Sequence, residues 1–539
     1  MTLCRFQEST AEGADNHMND VHDCCGVAAA ALLRTARPGR LGRSVPQTLC
    51  EMLLDLQHRG QLSAGMATFE RDRSPLLRVM KGLGTVGQAF GGPPAGIELR
   101  DLVGSRGIGH VRYATCGADD LENAQPSEHP HGHRWKWFAV CFNGQITNFR
   151  ELKDQLASER GYHLIHEQAD TEVLMHLIAY GMRGPRMRPV EEAFAELAAR
   201  IDGAYTLAMI NAEGEIVVAR DPMGFRPLCH GLRDGLWAAA SESVALANLG
   251  IKDVQQVEPG TMVVVRDDEV EVKRFADTPR RASCYFEWVY FANAASVLDG
   301  RSVYVAREEL GRELARFETL EPSEDSVVVP VPDCARPAAD AMAYELGIPC
   351  MEGLLRNRYV GRTFIEGRGR GDKARKKYTP LREVLQGKRV FLVEDSIVRL
   401  TTLAAVVRQM RERGGAREIH VRVTCPPVLA PCFYGIDMST VTELYAHRFI
   451  PKPIEGRLPE DLLARMASDM GADSLFYMPI QSIPRCIGMP RSDLCMACID
   501  ARYPTAWGCK LYEEALQNAR AGQSGRTYEQ GTQRQADVK

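Results

Sequence analysis

Three short apolar runs in the second half of the chain constrain its fold most: "DSVVVPVPD" (325–333), "KRVFLVEDS" (388–396) and "IHVRVTCPP" (419–427). Helix-like text such as "RPAADAMAYELG" and "TTLAAVVRQMRERGG" separates them. A strand that is apolar throughout must be covered on both faces, so this alternation predicts a buried parallel sheet with flanking helices. The pattern before residue 275 differs. "VCFNGQITNF" and "TLAMINAEGEIVVARD" read as strand–turn segments, the second turning at Asn211–Gly214, and "VEPGTMVVVRDDEVEVKRF" (257–275) reads as a closing hairpin. "TEVLMHLIAYGM" and "VEEAFAELAARIDG" have helical apolar spacing, the latter ending near Gly203. With 539 residues the chain is too long for one core, and the change of pattern near 285 separates an α+β half from an α/β half.

The charges exclude some classes of function. Sixty-six basic residues against 70 acidic ones leave a net charge of −4, which does not suit a nucleic-acid or membrane-surface protein. The first 24 residues are polar, with acids at Glu8, Glu12, Asp15, Asp20 and Asp23, and lack the apolar core of a secretory signal. No apolar run approaches the roughly 18 residues of a membrane span. A cytoplasmic location is therefore expected, and the 16 cysteines read as thiols or metal ligands rather than a disulfide framework. Residues 366–378, "EGRGRGDKARKKY", form a basic Gly-rich stretch without periodicity and read as a loop. The polar end, 516–539, is expected to be disordered. No internal repeat is visible.

"RVFLVEDSIVRLTTLAAVV" (389–407) places an acidic pair, Glu394–Asp395, at the end of a strand, then a Ser-containing loop, then a helix opening at Thr401–Thr402. Backbone N–H groups and hydroxyls at a helix N-terminus bind phosphate, and acids at the carboxyl end of a parallel strand reach sugar hydroxyls. Together they suit a phosphorylated ribose. The plain alternative is an ordinary strand followed by a capped helix. "CMAC" (495–498) offers two soft ligands on one turn, a spacing open to zinc, a redox pair or neither.

The loop resembles the phosphoribosyl-pyrophosphate (PRPP) motif of type I phosphoribosyltransferases, and in particular the glutamine PRPP amidotransferase (amidophosphoribosyltransferase) family. "CYFEWVYFANAASVLDGRSVYVARE" (284–308), "PVPDCARPAA" (330–339), "NRYVGRTFI" (357–365) and "PCFYGID" (431–437) resemble that family in the same order, over about residues 25 to 510. The resemblance implies a PRPP site at Glu394, Asp395, Ser396, Arg399, Thr401, Thr402 and Lys377, with one Mg²⁺ near Glu394, Asp395 and Cys334. It also implies that Lys373, Arg375, Lys376 and Lys377 belong to a lid that closes over the pyrophosphate. Glu394 stands where the family has Asp, Leu400 where it has Gly, Cys334 where it has Ser or Thr, and "FANAAS" (291–296) where it has FARPDS.

The first half resembles the family's N-terminal-nucleophile glutaminase domain, an αββα sandwich. The matching text is "QHRGQLSAGM" (57–66), "GIGHVRYAT" (107–115), "NGQITN" (143–148) and "ADTEV" (169–173), with Leu62 in place of a usual acid. The nucleophile lies in "VHDCCGVAAA" (21–30). A thiolate attacks a carboxamide only if a base takes the thiol proton. An α-amino group, with a pKa of about 7.7–8.0, can serve if the cysteine is residue one of the mature chain. The chemistry thus predicts cleavage before the nucleophile. Cys25, followed by Gly26–Val27 as in the family's mature start, is the expected nucleophile, and residues 1–24, ending at Cys24, a propeptide. By resemblance Arg112 holds the α-carboxylate of glutamine, Asp170 its α-ammonium, and Asn143 with Gly144 the oxyanion, while His110 and Thr115 brace the Arg112 strand. Taken singly, Asp170–Thr171 could only cap a helix and Asn143–Gly144 could only form a turn.

In the iron–sulfur branch of the family the cluster ligands correspond to Cys284, Cys432, Cys495 and Cys498. Four thiolates suit one [4Fe–4S] cluster per subunit, with zinc or four unligated thiols as the alternatives. The implied organisation is a propeptide (1–24), a glutamine amidotransferase domain (25–275), a phosphoribosyltransferase domain (285–460), a C-terminal helical segment with the CxxC (461–515), and the tail. The implied reaction hydrolyses glutamine, channels ammonia to PRPP and yields 5-phosphoribosylamine, the first committed step of purine synthesis. Purine nucleotide feedback and a homotetramer are implied with it. The departures leave a second reading open, a divergent paralogue with glutaminase activity whose PRPP domain binds, regulates or serves another acceptor.

Overall fold

The computed structural model describes residues 25–34, 44–91, 102–113, 121–165, 170–357, 377–436, 438, 440–523 and 527. The expected propeptide with Cys24, the brace residue Thr115 and the lid residues Lys373, Arg375 and Lys376 lie outside these residues.

The first strand, β1 (Gly26–Leu32), reads Gly-Val-Ala-Ala-Ala-Ala-Leu, and its side chains alternate between two buried faces. Val27, Ala29 and Ala31 enter one core while Ala28 and Ala30 enter another. Small side chains suit a strand with packed layers on both sides. β1 lies in a seven-stranded sheet of order β11 (Gln255–Gln256), β9 (Cys229–Arg233), β10 (Leu236–Ala240), β1, β4 (Arg106–Arg112), β2 (Ser63–Phe69) and β3 (Leu77–Leu83). A six-stranded sheet runs β13 (Glu269–Arg274), β12 (Thr261–Arg266), β8 (Ile216–Arg220), β7 (Gly203–Asn211), β6 (Phe138–Ile146) and β5 (Ser127–His129). The core between the sheets joins Val27, Ala29 and Ile108 of the first to Ala139, Cys141, Ala208 and Val263 of the second. Residues of the helix Val45–Asp55 join the outer face of the first sheet, and those of the helices Phe149–Arg160, Asp170–Gly181 and Val190–Ala198 the outer face of the second. The layering is αββα. The turn at Asn211–Gly214 and the closing hairpin both form as the sequence predicts.

The second half forms a parallel four-stranded sheet of order Ser326–Pro330, Arg389–Glu394, Glu418–Val423, Ser474–Tyr477. The three predicted runs are its first three strands. The fourth follows the helix Glu460–Met470, which stops at Gly471 (φ +79°), so the sheet extends past residue 460 into the segment read as C-terminal. Helices Val303–Phe317, Arg336–Leu346 and Thr401–Glu412 supply side chains to the same core. No helix among the described residues is long and apolar enough to cross a membrane.

Candidate active sites and the four-cysteine site

Cys25 immediately precedes β1, half-buried, where the backbone pairs Gly26 with Val111 of β4. Its Sγ lies 3.2 Å from the Tyr113 carbonyl oxygen and 3.4 Å from the Tyr113 N–H. Burial pushes the thiol above its ordinary value, while the Tyr113 backbone and the Arg112 guanidinium act in the opposite direction. Arg112 and Asp170 both lie within electrostatic reach of this sulfur, and both side chains are buried. Arg112 ends β4, and Asp170 opens its helix, where an Asp170 carboxylate oxygen accepts from the Ile146 N–H at 3.4 Å. Gly60 of the "QHRG" motif is required sterically, because a Cβ there would sit 2.7 Å from the Arg112 backbone.

Asn143 and Gly144 occupy β6, opposite Thr206 and Tyr205 of β7. Asn143 is 1% exposed, and its Nδ2 is a buried donor with no acceptor among the described residues. Leaving such a donor unsatisfied costs about 1–3 kcal/mol, so an incoming oxyanion would recover that cost. A Cβ on Gly144 would lie 1.9 Å from the Ala204 carbonyl oxygen, so only glycine fits. Replacing Asn143 with alanine is expected to lower the glutaminase kcat about 10²–10³-fold with a small change in KM, measured by glutamate release.

His110 is fully buried in β4, with Nε2 3.2 Å from the Phe142 carbonyl oxygen. Burial pushes its pKa down to about 3. Burial thus favours the neutral imidazole, which bridges β4 to the Phe142 carbonyl of β6.

A buried charge network that no local motif announces reaches the Cys25 backbone. Arg59 donates from Nε to the Cys25 carbonyl at 3.2 Å, from Nη1 to Glu242 at 2.5 Å, and from Nη1 and Nη2 to Glu287 at 3.0 and 2.7 Å. Glu242 also meets His58 Nε2 at 2.7 Å, and its other oxygen accepts from the Asn293 N–H and the Ser296 hydroxyl, each at 2.8 Å. Burial alone would raise the Glu242 pKa, but His58 and Arg59 hold it well below the usual carboxylate range. Glu287 bonds Arg226 Nη1 at 3.1 Å, and Arg226 donates to the Tyr434 carbonyl from Nε and Nη2. Glu287 opens a π-helical turn, Glu287–Phe291, within the "FEWVYF" text. The network therefore ties the first domain to "FANAAS" and "PCFYGID" of the second. A Cβ on Gly435, in the latter motif, would lie 3.0 Å from Gly144, and the Gly435 N–H donates to Gln145 at 3.2 Å.

The loop between Glu394 and Thr401 sits at the carboxyl end of the parallel sheet. Glu394 ends its strand and accepts from the Asp395 N–H at 3.0 Å, and the Ser396 hydroxyl donates to Asp395 Oδ1 at 2.7 Å. The Thr424 hydroxyl and the Cys425 N–H both donate to the Asp395 carbonyl, at 3.1 and 2.9 Å. Arg399 is held by Glu443 at 2.5 Å, while its buried Nε and Nη1 have no acceptor among the described residues, leaving donors for an anion. Thr401 and Thr402 open the 12-residue helix Thr401–Glu412. Leu400, in place of the family glycine, has φ −74° and ψ −23° and packs against the domain core. It needs no left-handed backbone, and a side chain is accommodated there. Cys334 lies in the turn after Ser326–Pro330, the strand that pairs with the one ending at Glu394, and Arg356 pairs with Asp333 beside it at 3.0 Å. Lys377 stands 5.3 Å from the centroid of the Tyr378 ring.

The four cysteines of the third site come from three segments. Cys284 pairs with Cys495 in a short parallel bridge, and Cys284, Cys432, Cys495 and Cys498 are all buried. Cys432, Cys495 and Cys498 each lie within electrostatic range of Cys284, and burial pushes the Cys284 thiol up to about 12. Among the described residues no group of three or more His, Cys, Asp or Glu side chains is gathered tightly enough to hold a metal ion. That finding covers both this site and the Glu394–Asp395 pair.

These features define a class: a glutamine amidotransferase domain joined to a phosphoribosyltransferase domain. Residues 110–248 match the glutamine amidotransferase domain family and residues 304–427 the phosphoribosyl transferase domain family. Amidophosphoribosyltransferase of Pyrococcus horikoshii is 39% identical over 453 residues, which is 84% of this chain and 92% of that protein. The same enzyme of Mycobacterium tuberculosis is 37% identical over 530 residues, 96% of this chain and 94% of its own. Among solved structures, B. subtilis glutamine PRPP amidotransferase in complex with ADP and GMP superposes with a TM-score of 0.77 at 34% identity. The match covers 90% of this chain and 98% of that one. The chain belongs to the amidophosphoribosyltransferase family, and nothing in these likenesses favours the reading of a divergent paralogue.

Proposed function

We propose that the chain transfers the amide nitrogen of glutamine to PRPP, giving glutamate, pyrophosphate and 5-phosphoribosylamine, the first step of purine synthesis. The observation that carries this reading is the contact of "PCFYGID" in the second domain with the oxyanion glycine of the first, Gly435 against Gly144. The Cys25 thiolate attacks the carboxamide carbon, Asn143 Nδ2 and the Gly144 N–H hold the oxyanion, and a thioester forms as ammonia leaves. Arg112 and Asp170 hold the α-carboxylate and α-ammonium. With His110 neutral and braced, the base is the α-amino group of Cys25, which requires removal of residues 1–24. In the second domain Glu394 and Asp395 face the ribose, and Ser396, Thr401, Thr402 and Arg399 face phosphate. Lys377 joins the lid over the pyrophosphate.

Mg²⁺ would be held by Glu394 and Asp395, with Cys334 nearby, and would neutralise the departing pyrophosphate. Two carboxylates with no third protein ligand suit a Mg²⁺ completed by substrate phosphates and water. The four cysteines suit a [4Fe–4S] cluster. What supports a cluster is the donor set: four buried cysteines within electrostatic range of one another offer only soft thiolate ligands, with zinc as the alternative. The cluster would staple the C-terminal segment to the core. A homotetramer in the cytoplasm, inhibited by purine nucleotides, is part of the same reading, and the ADP and GMP of the B. subtilis complex support its nucleotide-binding part alone. The test is pyrophosphate release by the anaerobically purified protein. Release that needs both PRPP and glutamine supports the proposal, whereas glutamate formation indifferent to PRPP, with no pyrophosphate, refutes it.

A further inference from the structure

Tyr285 follows the first of the four cysteines, and its side chain is wholly buried. Its hydroxyl lies 3.6 Å from Cys498 Sγ and 3.2 Å from the sulfur of a fifth cysteine, Cys425, which is equally buried. Cys425 stands in the segment after the strand Glu418–Val423, where its N–H donates to the Asp395 carbonyl at 2.9 Å and the Thr424 N–H donates to the Glu394 carbonyl at 3.0 Å. A single phenol thus touches one thiol of the four-cysteine site and the segment that braces the acidic pair of the phosphoribosyl loop.

We propose that Tyr285 is a positioning residue for the four-cysteine site, its O–H donating to the Cys498 sulfur while its oxygen accepts from the Cys425 S–H. The inference rests on the cluster reading given above. The donor count fixes the direction of the chain. A ligating thiolate can only accept, the phenol has one proton to give, and Cys425 has one to give to the phenol oxygen. A hydrogen bond to a ligand sulfur withdraws electron density and makes the cluster harder to oxidise. The same chain connects the cluster edge to the backbone that holds Glu394 and Asp395.

The test uses the full-length holoprotein, purified without oxygen and assayed first for iron and acid-labile sulfide. Tyr285→Phe keeps the ring and removes the donor. It is expected to lower the cluster's midpoint potential and to speed bleaching of its visible absorption in air severalfold at unchanged iron content. Cys425→Ala should shift both in the same direction by less, and Cys425→Ser, which restores a donor, should return them toward wild type. Tyr285→Phe protein with full iron, wild-type potential and wild-type bleaching rate overturns the inference while leaving the cluster reading intact. Wild-type protein without iron and sulfide overturns the cluster reading, and the inference with it. If Tyr285→Phe fails to fold, the Cys425 pair decides: equal potentials in the Ala and Ser variants overturn the hydrogen-bond chain.

Discussion

Cys25→Ala protein is expected to lose glutamine-dependent product formation by a factor on the order of 10⁴ or more, while ammonia-dependent pyrophosphate release stays near wild type. The asymmetry follows from where the residue sits. Cys25 precedes β1, and the backbone pairing of Gly26 with Val111 does not depend on the cysteine side chain. Removing the sulfur takes away the nucleophile without opening a core, because the residue is only half-buried. The acidic pair Glu394–Asp395 closes a strand of a separate sheet, so on the proposed reading PRPP bound there reacts with ammonia whatever its source. Parallel assays with glutamine and with ammonium chloride, each reading pyrophosphate, give the ratio. Loss of both activities would mean that Cys25 serves the second domain as well, and survival of the glutamine reaction would place the nucleophile elsewhere.

Glu287→Gln is expected to destabilise the protein by about 3–5 kcal/mol, the usual consequence of breaking a buried ion pair from one side. Glu287 meets Arg59 through two bonds of 2.7 and 3.0 Å and Arg226 through one of 3.1 Å, and all three side chains are at most 1% exposed. The neutral amide retains one oxygen for two guanidinium groups and turns an N–H₂ toward a cation. Glu242 still faces Arg59, but Arg226 keeps only the Tyr434 carbonyl among these partners. Glutaminase activity falls too, because Arg59 also holds the Cys25 carbonyl. A lower urea midpoint for loss of near-ultraviolet circular dichroism, together with reduced glutamate release, is the expected pair of results. An unchanged midpoint would show that water already screens the network.

Much of this was legible from the sequence. The runs at Val327–Val329 and Val390–Val393 announce buried parallel strands, since a strand covered on both faces must be apolar throughout. The fourth strand, Ser474–Tyr477, escaped because it is short and alternates half-buried with buried residues. β1 is the opposite case: four successive alanines favour a helix by local propensity, and packing between layers overrides that preference. Cys25, Arg112 and Asp170 were put forward by the resemblance of short local motifs, and the structure places Arg112 and Asp170 within electrostatic reach of the Cys25 sulfur. The charge network could not be read that way, since Arg59 meets Glu242 and Glu287 across 183 and 228 residues and no periodicity links them. The motifs "QHRG", "FEWVYF" and "PCFYGID" marked the places, and only the fold shows that they touch. The consequence of Leu400 was likewise a backbone question. A glycine-to-leucine change matters most where φ is positive, and here it is −74°.

The central claim is that one chain delivers the nitrogen released at Cys25 to PRPP. Glutamine labelled with ¹⁵N at the amide, mixed with PRPP and excess unlabelled ammonium, tests it most directly. The expected result is one labelled 5-phosphoribosylamine for each glutamate formed, with the label retained against the unlabelled pool. Glutamate accumulating while the label appears only in free ammonium would contradict the account.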